Sequence, residues 1–423
     1  MSRILNVWWD ERLVGRLSQN RHGELGFVYA PEWLEAGDAV PPLSVSLPKR
    51  AEPFSRRECG PFFSGLLPEE GQRDAVARLL GVSRGNDFAL LDRLGGDVAG
   101  AIQLLPPGAS HPPVAPPVGT RPQPLEPEKL AAVLDALPVR PLLADEEGLR
   151  LSLAGSQSKL PVVLVSGEIA LPVPGQATTH ILKPPMTRFP DTVENETFIM
   201  RLAARIGLLA APVEARTVHR RKFLLVERYD RAPDANGRVR RIHQEDFCQA
   251  LGIWPQRKYA GEGGPALRDC FALLRRVAAR PAVDILKLLD AVIFNLIAGN
   301  ADAHGKNFSL LHADAGTCLA PLYDLLTTVI YPELSPRLAM KIGKRATLEE
   351  MDSRGWESFA AGAGLGRPFV YRRVSEISDV VESRAREVAG ELQGGALDDA
   401  ALSGLADTVA ARANRCAHTV KLA

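Results

Sequence analysis

The segment that most constrains the fold is a polar loop between a long apolar helix pattern and an apolar strand pattern. From Ile285 onward, apolar residues fall at positions 285, 288, 289, 292, 293, 296 and 297, a spacing typical of a helix with a buried stripe. The pattern stops at Gly299, and residues 299–311 read GNADAHGKNFSLL. This loop contains Asp302 and Asn307, separated by four residues, and it is the strongest candidate for a functional site.

Asp302 and Asn307 have the D-x-x-x-x-N spacing that is typical of a loop that catalyses phosphoryl transfer. A carboxylate accepts the proton of the attacking hydroxyl and a nearby amide oxygen binds magnesium, and protein kinases supply both from a D-x-x-x-x-N loop. After a hairpin through Asp314–Gly316, CLAPLYDLLTT places Asp324 where a kinase keeps its second magnesium ligand. Leu325–Leu326 follow instead of Phe-Gly, so ordinary activation-loop switching is not expected. The alternative is that Asp302 and Asn307 are turn residues bonded to their own backbone.

Three segments of the preceding, strand-rich half extend this interpretation. Lys183, in THILKPP, is predicted to contact phosphates, although a strand lysine more often extends to solvent. Glu194 and Glu196 open the next helix about 200° apart, so at most one faces the lysine, and the sequence leaves open which. The loop Ala154–Lys159, between the strand-like runs LRLSL and KLPVVLV, has small residues that let backbone amides approach phosphate. FLLVERYDR offers backbone groups at Glu227–Tyr229 that could bind a nucleotide base. Taken alone, the loop Ala154–Lys159 is also an ordinary hairpin turn and FLLVERYDR an ordinary strand.

Composition excludes several other classes of protein. Apolar residues make up 46% and charged residues 24%, which is typical of a packed protein and excludes a disordered chain. The formal net charge is +1, so binding to nucleic acid or an anionic membrane requires a local patch or a partner. The five cysteines contain no C-x-x-C pair, so neither a disulfide framework nor a zinc site is indicated. The charged start and the lack of any apolar window of about 18 residues predict no signal peptide and no membrane span, as in a cytoplasmic protein.

The order of patterns predicts an α+β chain with a bilobal, protein-kinase-like fold. It has a β-rich N-terminal module and a mainly helical C-terminal lobe. The predicted divisions are the module at 1–105, a proline-rich linker and helix at 106–148, the strand-rich lobe at 149–243 and the helical lobe at 244–423. The total of 423 residues agrees with two to three domains of about 150 residues each.

Several motifs, in this order, closely resemble the HipA family, the serine/threonine-kinase toxins of bacterial type II toxin–antitoxin systems. They are SLAGSQSKLPV, THILKPP, ENE, LLVERYDR, IHQEDFCQALG, GNADAHGKNFSLL and APLYDLL. The first 105 residues also resemble the family's N-terminal module, through VWWDERLVGRL, FFSGLLPE and GNDFALLDRLGGDVAGAIQL.

The resemblance implies ATP and Mg²⁺ as cofactors and phosphorylation of protein serine or threonine. It implies that Asp302 is the proton acceptor and that Asn307 and Asp324 bind the metal. The nucleotide-binding residues it implies are Ala154, Gly155, Ser156, Gln157, Ser158, Lys159, Lys183, Glu227, Arg228, Tyr229, His304, Gly305, Lys306, Asn307, Tyr323 and Asp324.

The resemblance also implies a site of self-modification. Family members autophosphorylate a serine before the glycine loop, which corresponds to Ser152, and a phosphate there would repel ATP and switch the enzyme off. Ser156 and Ser158 stand where other members often have alanine and an acidic residue. Which of the three serines is modified first therefore stays open.

The partners implied are a HipB-like helix-turn-helix antitoxin, operator DNA reached through that antitoxin to repress the operon, and a target of the aminoacyl-tRNA synthetase class. Arginines at 372–373 and 384–386 are candidates for added phosphate contacts, although surface arginines are more often merely solvated. Two alternatives remain, a catalytically inactive, nucleotide-binding corepressor that bridges antitoxin on DNA, and a small-molecule kinase with the same core. ATP turnover separates the first alternative from a kinase, and the N-terminal module and IHQEDF argue against the second.

Overall fold

The computed structural model describes residues 3–109, 121–146, 148–235 and 237–421. Residues 110–120, in the middle of the predicted proline-rich stretch, lie outside the described residues. Within the described ranges, no helix has the length and apolar character needed to cross a bilayer.

The first part of the chain forms an antiparallel sheet with helices packed on one side. Its strands are β1 (Arg3–Trp9), β2 (Arg12–Gln19), β3 (Leu25–Tyr29), β4 (Phe54–Ser55) and β5 (Ile102–Leu105), in the spatial order β4-β3-β2-β1-β5. The helices are α1 (Pro31–Glu35), α2 (Arg56–Ser64), α3 (Glu70–Leu79) and α4 (Asp87–Leu94). Alternate residues of β3 point inward, and its Phe27 packs against Phe54 and Phe63. This module therefore has its own aromatic core.

The second part is a five-stranded antiparallel sheet that carries two helices. After α5 (Pro127–Ala136), the strands are β6 (Leu160–Val165), β7 (Glu168–Ala170), β8 (His180–Lys183), β9 (Val213–Val218) and β10 (Arg221–Glu227), in the order β7-β6-β8-β10-β9. Helix α6 (Thr192–Arg205) lies between β8 and β9, and a small hairpin follows, β11 (Arg231–Pro233) with β12 (Val239–Arg241). The helix that the sequence predicts after Lys183 is α6, which ends at Arg205, and Gly207 follows with a φ of +87° that glycine adopts without strain.

One predicted strand, LRLSL, is wrong. Residues 149–153 form only an isolated bridge between Leu151 and Asp97 of the N-terminal module. The Asp97 amide donates to the Arg150 carbonyl at 2.8 Å, and the Ser152 amide donates to the Asp97 carbonyl at 3.0 Å. The backbone groups that a sheet would have used are bonded to the module instead.

The third part is the helical lobe. Its strands are β13 (His243–Asp246), β14 (Ser309–Ala313) and β15 (Gly316–Leu319), which form one sheet, and the hairpin of β16 (Arg337–Ile342) with β17 (Arg345–Thr347). Its helices are α7 (Phe247–Ala250), α8 (Leu267–Val277), α9 (Pro281–Ala298), α10 (Ser353–Ala363), α11 (Arg367–Leu392) and α12 (Asp399–Lys421). The predicted buried helix is α9, and it ends at Gly299, whose φ is +78°.

Side-chain packing and a backbone hydrogen bond, as well as the chain itself, join the two lobes. The large core of the helical lobe includes Phe198, Ile199 and Leu202 of α6, so this helix belongs to both lobes. The Ala211 amide donates to the Leu322 carbonyl at 2.8 Å, immediately before the segment that carries the second predicted metal ligand. The strand-rich and helical halves thus share packing and a backbone hydrogen bond where they meet.

Candidate active site

A cavity of about 920 Å³ lies where the N-terminal module and both lobes meet. The predicted site residues that line it are Ala154, Gly155, Ser156, Gln157, Lys159, Lys183, Glu227, Arg228, Tyr229, Asp302, His304, Lys306, Asn307, Tyr323 and Asp324. Three predicted residues, Ser152, Ser158 and Gly305, are described but do not line it. Residues that were predicted from separate segments therefore converge on one cavity.

Lys183 joins the two lobes across this cavity. Its Nζ donates to Glu196 Oε1 at 2.7 Å and to Asp324 Oδ1 at 2.9 Å. The helix places Glu196 toward the lysine, whereas Glu194 pairs with Lys222, which resolves the alternative that the sequence left open. Burial opposes the charge of Lys183, but Asp324 and Glu196 more than offset it and raise the pKa of the lysine. The ammonium group is therefore fully charged at the center of the cleft.

Asp324 and Asn307 form a pair that fits the predicted magnesium site. The Asn307 Nδ2 donates to Asp324 Oδ2 at 3.0 Å, and the Asn307 Oδ1 accepts from the His304 amide at 3.0 Å. Lys183 holds the pKa of Asp324 far below its usual range, so the carboxylate is ionised. Within the described residues, no cluster of three or more His, Cys, Asp or Glu side chains could bind a metal. One carboxylate and one amide suit Mg²⁺, which takes the rest of its oxygens from phosphate and water.

Asp302 lies on the loop after α9, and its carboxylate opens into the cavity. The Asp302 amide donates to Asn300 Oδ1 at 3.0 Å, and Arg412 of α12 donates to the Leu296 and Ile297 carbonyls at 3.0 and 3.2 Å. These bonds fix the end of α9 and the start of the loop. The surrounding protein desolvates the carboxylate and raises the pKa of Asp302 to about 6, against the opposing effects of Lys258 and of a hydrogen bond with Tyr259. A carboxylate with this pKa is suited to accept a proton near neutral pH.

The glycine-containing loop is attached to the N-terminal module. The Gly155 carbonyl accepts from the Glu69 amide at 3.1 Å, and the Ser158 Oγ accepts from Gln72 at 3.1 Å. Gly155 has a φ of +112°, which strains any other residue, and a Cβ there would lie 2.5 Å from the Lys159 Nζ, so the lysine side chain would have to shift. Burial and the nearby Lys183 lower the pKa of Lys159 to about 8.

The predicted base-binding segment lies at the end of β10. Glu227, Arg228 and Tyr229 line the cavity, and the Tyr229 ring stacks on Tyr323 with centroids 5.7 Å apart. The Arg228 guanidinium, however, is buried in ion pairs with Asp97 and Asp230 at 3.3 and 2.8 Å. Arg228 therefore offers the cavity its backbone rather than its charge.

Three other residues of the loop after α9 are buried among neighbouring segments. The Lys306 Nζ pairs with Asp246 at 2.5 Å and donates to the Gly65 carbonyl at 3.3 Å. Gly305 is packed so closely that a Cβ would meet Pro265 at 2.5 Å. His304 lines the cavity, and burial lowers its pKa to about 4, so the imidazole is neutral. Its Nδ1 has no hydrogen-bond partner among the described residues.

Ser152 is fully buried below the loop. Its Oγ donates to the Leu66 carbonyl of the N-terminal module at 2.7 Å. The predicted modification of Ser152 would require this segment to leave its position. That modification stays a prediction.

Several residues line the cavity although no sequence pattern indicated them, among them Glu69, Glu70, Ala99, Lys258 and Tyr259. The first three belong to the N-terminal module, which the sequence analysis treated as separate from the site. Lys258 and Tyr259 lie between α7 and α8 in a segment without helix or strand periodicity, so no spacing indicated their role.

Comparison with known protein families assigns most of the chain. Residues 5–105 match the HipA N-terminal domain, and residues 151–392 match the HipA-like C-terminal domain.

Curated relatives match over nearly the whole length. The candidate kinase Y4mE of Sinorhizobium fredii (strain NBRC 101917 / NGR234) is 62% identical over 411 residues, which cover 97% of this chain and 98% of that protein. The serine/threonine-protein kinase toxin HipA of Shewanella oneidensis is 32% identical over 396 residues, which cover 91% of this chain and 89% of that protein. Among solved structures, Shewanella oneidensis HipA, in a complex with HipB and its operator DNA, has a TM-score of 0.86 and 29% identity and covers 99% of this chain and 98% of its own.

Proposed function

The chain belongs to the HipA family and has its bilobal, kinase-like fold, and on this premise we propose that it is an ATP-dependent serine/threonine protein kinase, the toxin of a type II toxin–antitoxin module. The observation that supports this most strongly is the Lys183 ammonium between Glu196 and Asp324, with Asn307 beside the latter. A chain that acts only as a corepressor on DNA would not need a desolvated carboxylate, that of Asp302, in the same cavity as the ionised Asp324.

The residues of the cavity divide the work of phosphoryl transfer. Lys183 would bind the nucleotide phosphates, held in place by Glu196, and the backbone of Glu227–Tyr229 would bind the base. Asp324 and Asn307 would hold Mg²⁺, which neutralises charge on the phosphate oxygens when bound. Asp302 would accept the proton of the substrate hydroxyl as its oxygen attacks the terminal phosphorus of ATP.

We further propose that the enzyme autophosphorylates near the loop Ala154–Lys159, at Ser152 or at a neighbouring serine. The loop lies against the cavity, and Ser152 precedes it by two positions. A doubly charged phosphate at Ser152 would not fit beside the Leu66 carbonyl, so it would displace the loop from the nucleotide.

The proposed partners are a HipB-like helix-turn-helix antitoxin, operator DNA bound through that antitoxin to repress the operon, and a cytoplasmic target of the aminoacyl-tRNA synthetase class. The solved relative is described as a complex of HipA, HipB and operator DNA, which supports the first two partners. The near-neutral chain agrees with base recognition by the antitoxin. The arginines of α11 do not favour added contacts to DNA phosphates. Arg373, Arg384 and Arg386 each already pair with an acid of this chain.

Intact-mass measurement and peptide mapping after incubation with ATP–Mg²⁺ test the proposal. The wild-type chain should gain phosphate on a serine or threonine, whereas Asp302→Asn and Asp324→Ala should not. Equal labelling of the wild type and both variants would remove these residues from the mechanism. A wild type that binds ATP without turnover, and still represses with the antitoxin, would favour the corepressor.

A further inference from the structure

Lys258 lies between the N-terminal module and the catalytic loop. Its Nζ donates to Glu69 Oε2 at 3.0 Å and to Glu70 Oε1 at 3.1 Å, both from the start of α3. Its carbonyl accepts from the Gly305 amide at 3.4 Å. The side chain is 8% exposed and lines the cavity, so its position is fixed from both sides.

Among the described residues, the other cations that line the cavity are placed differently from Lys258. Arg188 and Arg337 are exposed, and Arg228 is paired with Asp97 and Asp230. Lys183 and Lys159 belong to the opposite, strand-rich wall, and Lys306 is bonded to Asp246. His304 is neutral. Among the surrounding charges, that of Lys258 has the largest effect on the pKa of Asp302, which it lowers, whereas Asp324 and Glu70 act in the opposite direction.

Phosphoryl transfer develops negative charge on the transferred group, and fixed cations around that group stabilise it. An ammonium group has three N–H donors, and Lys258 uses two of them on Glu69 and Glu70. No hydrogen bond among the described residues uses the third. Burial opposes the charge of Lys258, but Glu69, Tyr259 and Glu70 more than offset it and raise the pKa of the lysine, so the group stays charged.

We propose that Lys258 is a further catalytic residue, whose remaining N–H binds an oxygen of the transferred phosphoryl group. The inference rests on the proposed kinase function. The bond between the terminal phosphorus and the leaving nucleoside diphosphate breaks as the bond to the acceptor oxygen forms. The acceptor proton goes to Asp302, and Lys258 remains protonated throughout.

The N-terminal module therefore supplies part of the active site, through the two acids that hold Lys258. Glu69 also donates its amide to the Gly155 carbonyl, so one residue fixes both the loop and the lysine. Glu70 has a φ of +48°, a left-handed conformation that is unfavourable for any residue except glycine. Strain of this kind persists where the surrounding structure requires it, and it occurs often at functional sites.

The test is Lys258→Met in the full chain, with phosphoryl transfer measured in single turnovers and MgADP binding measured by calorimetry. The transfer rate should fall about 10²–10³-fold, while the affinity for MgADP stays within about threefold of the wild type. Affinity for MgADP with aluminium fluoride, which imitates the transferred group, should fall together with the rate. Lys258→Arg, which keeps a cation, should restore a large part of both.

Lys222→Met is the matched control, because Lys222 also pairs with a buried glutamate, Glu194, but lies outside the cavity lining. It should lower thermal stability as Lys258→Met does without lowering the transfer rate. An active wild type with an equally active Lys258→Met would overturn this inference and leave the kinase proposal intact, as would equal losses in MgADP affinity and in rate. An inactive wild type would refute the kinase proposal itself. If Lys258→Met does not fold, Lys258→Gln is judged by the same criteria.

Discussion

Asp97→Asn is expected to destabilise the protein by about 3–5 kcal/mol, the cost of removing one partner from a buried ion pair. Asp97 is 2% exposed, and its Oδ1 accepts from Arg231 and Arg241, each at 3.0 Å. Its Oδ2 accepts from the Thr178 hydroxyl at 2.6 Å and from Arg228 at 3.3 Å. The asparagine keeps the shape of the side chain but leaves several buried guanidinium groups short of negative charge.

The magnitude should depend on pH in a defined direction. Burial alone would raise the pKa of Asp97, but the surrounding arginines hold it far below its usual value. Because the folded-state pKa is lower than the unfolded one, the contribution is present above about pH 4 and is lost as the pH falls further. The difference between wild type and variant should therefore shrink in acid.

Asp314→Asn provides the matched control. Asp314 also pairs with an arginine, Arg240, at 2.8 Å, but its side chain is 81% exposed. An exposed pair of this kind contributes only about 0–1 kcal/mol. The same substitution thus removes the same chemical group from a buried and from an exposed ion pair.

Urea unfolding followed by tryptophan fluorescence measures both effects. With a slope of about 3 kcal/mol/M, Asp97→Asn should lower the midpoint by about 1 M or more, and Asp314→Asn should barely move it. Equal midpoints for the two variants would refute the reasoning. Because the Asp97 network includes Arg228 of the proposed base-binding segment, the KM for ATP should also rise in Asp97→Asn but not in Asp314→Asn.

Three further changes test the cavity. The labelling rate of the wild type should fall about tenfold per pH unit below about pH 6, since protonated Asp302 cannot accept a proton, and a rate that is flat to pH 4 would contradict this. Glu196→Gln should slow labelling by about 10²-fold because Lys183 loses its orienting partner. The Glu194→Gln variant, changed on the opposite face of the same helix, should be labelled at the wild-type rate in the same assay. Gly155→Ala should weaken ATP binding in calorimetry, because the φ of +112° and the crowded Cβ position displace the loop, and unchanged affinity would count against the loop's role.

The residues that could be assigned to one cavity from the sequence are those whose positions follow from the nearby helices and strands. The buried helix stops at Gly299, so the following loop, with Asp302 and Asn307, had to lie at the end of a core helix. Lys183 and Asp324 followed from the order of strands, and the structure brings both to the same cavity. For these residues, spacing along the chain was sufficient.

Contacts between distant segments could not be predicted in the same way. Glu69 and Lys258 are 189 positions apart, and neither lies in a pattern that indicates the other. The choice between Glu194 and Glu196 needed the position of α6 against the sheet, which helix periodicity does not give. LRLSL has a strand pattern, yet its backbone bonds to Asp97 because the module packs beside it.

The bonds from Arg412 to the end of α9 make the loop that carries Asp302 depend on the C-terminal helix α12. Arg412 lies 115 positions after Ile297, so α12 must be synthesised before the loop after α9 gains this support. The ion pair between Glu69 and Lys258 likewise cannot form until Lys258, 189 positions later, has been synthesised. A growing chain therefore lacks these contacts until α12 has been synthesised, and we expect the loop after α9 to reach its final position only then.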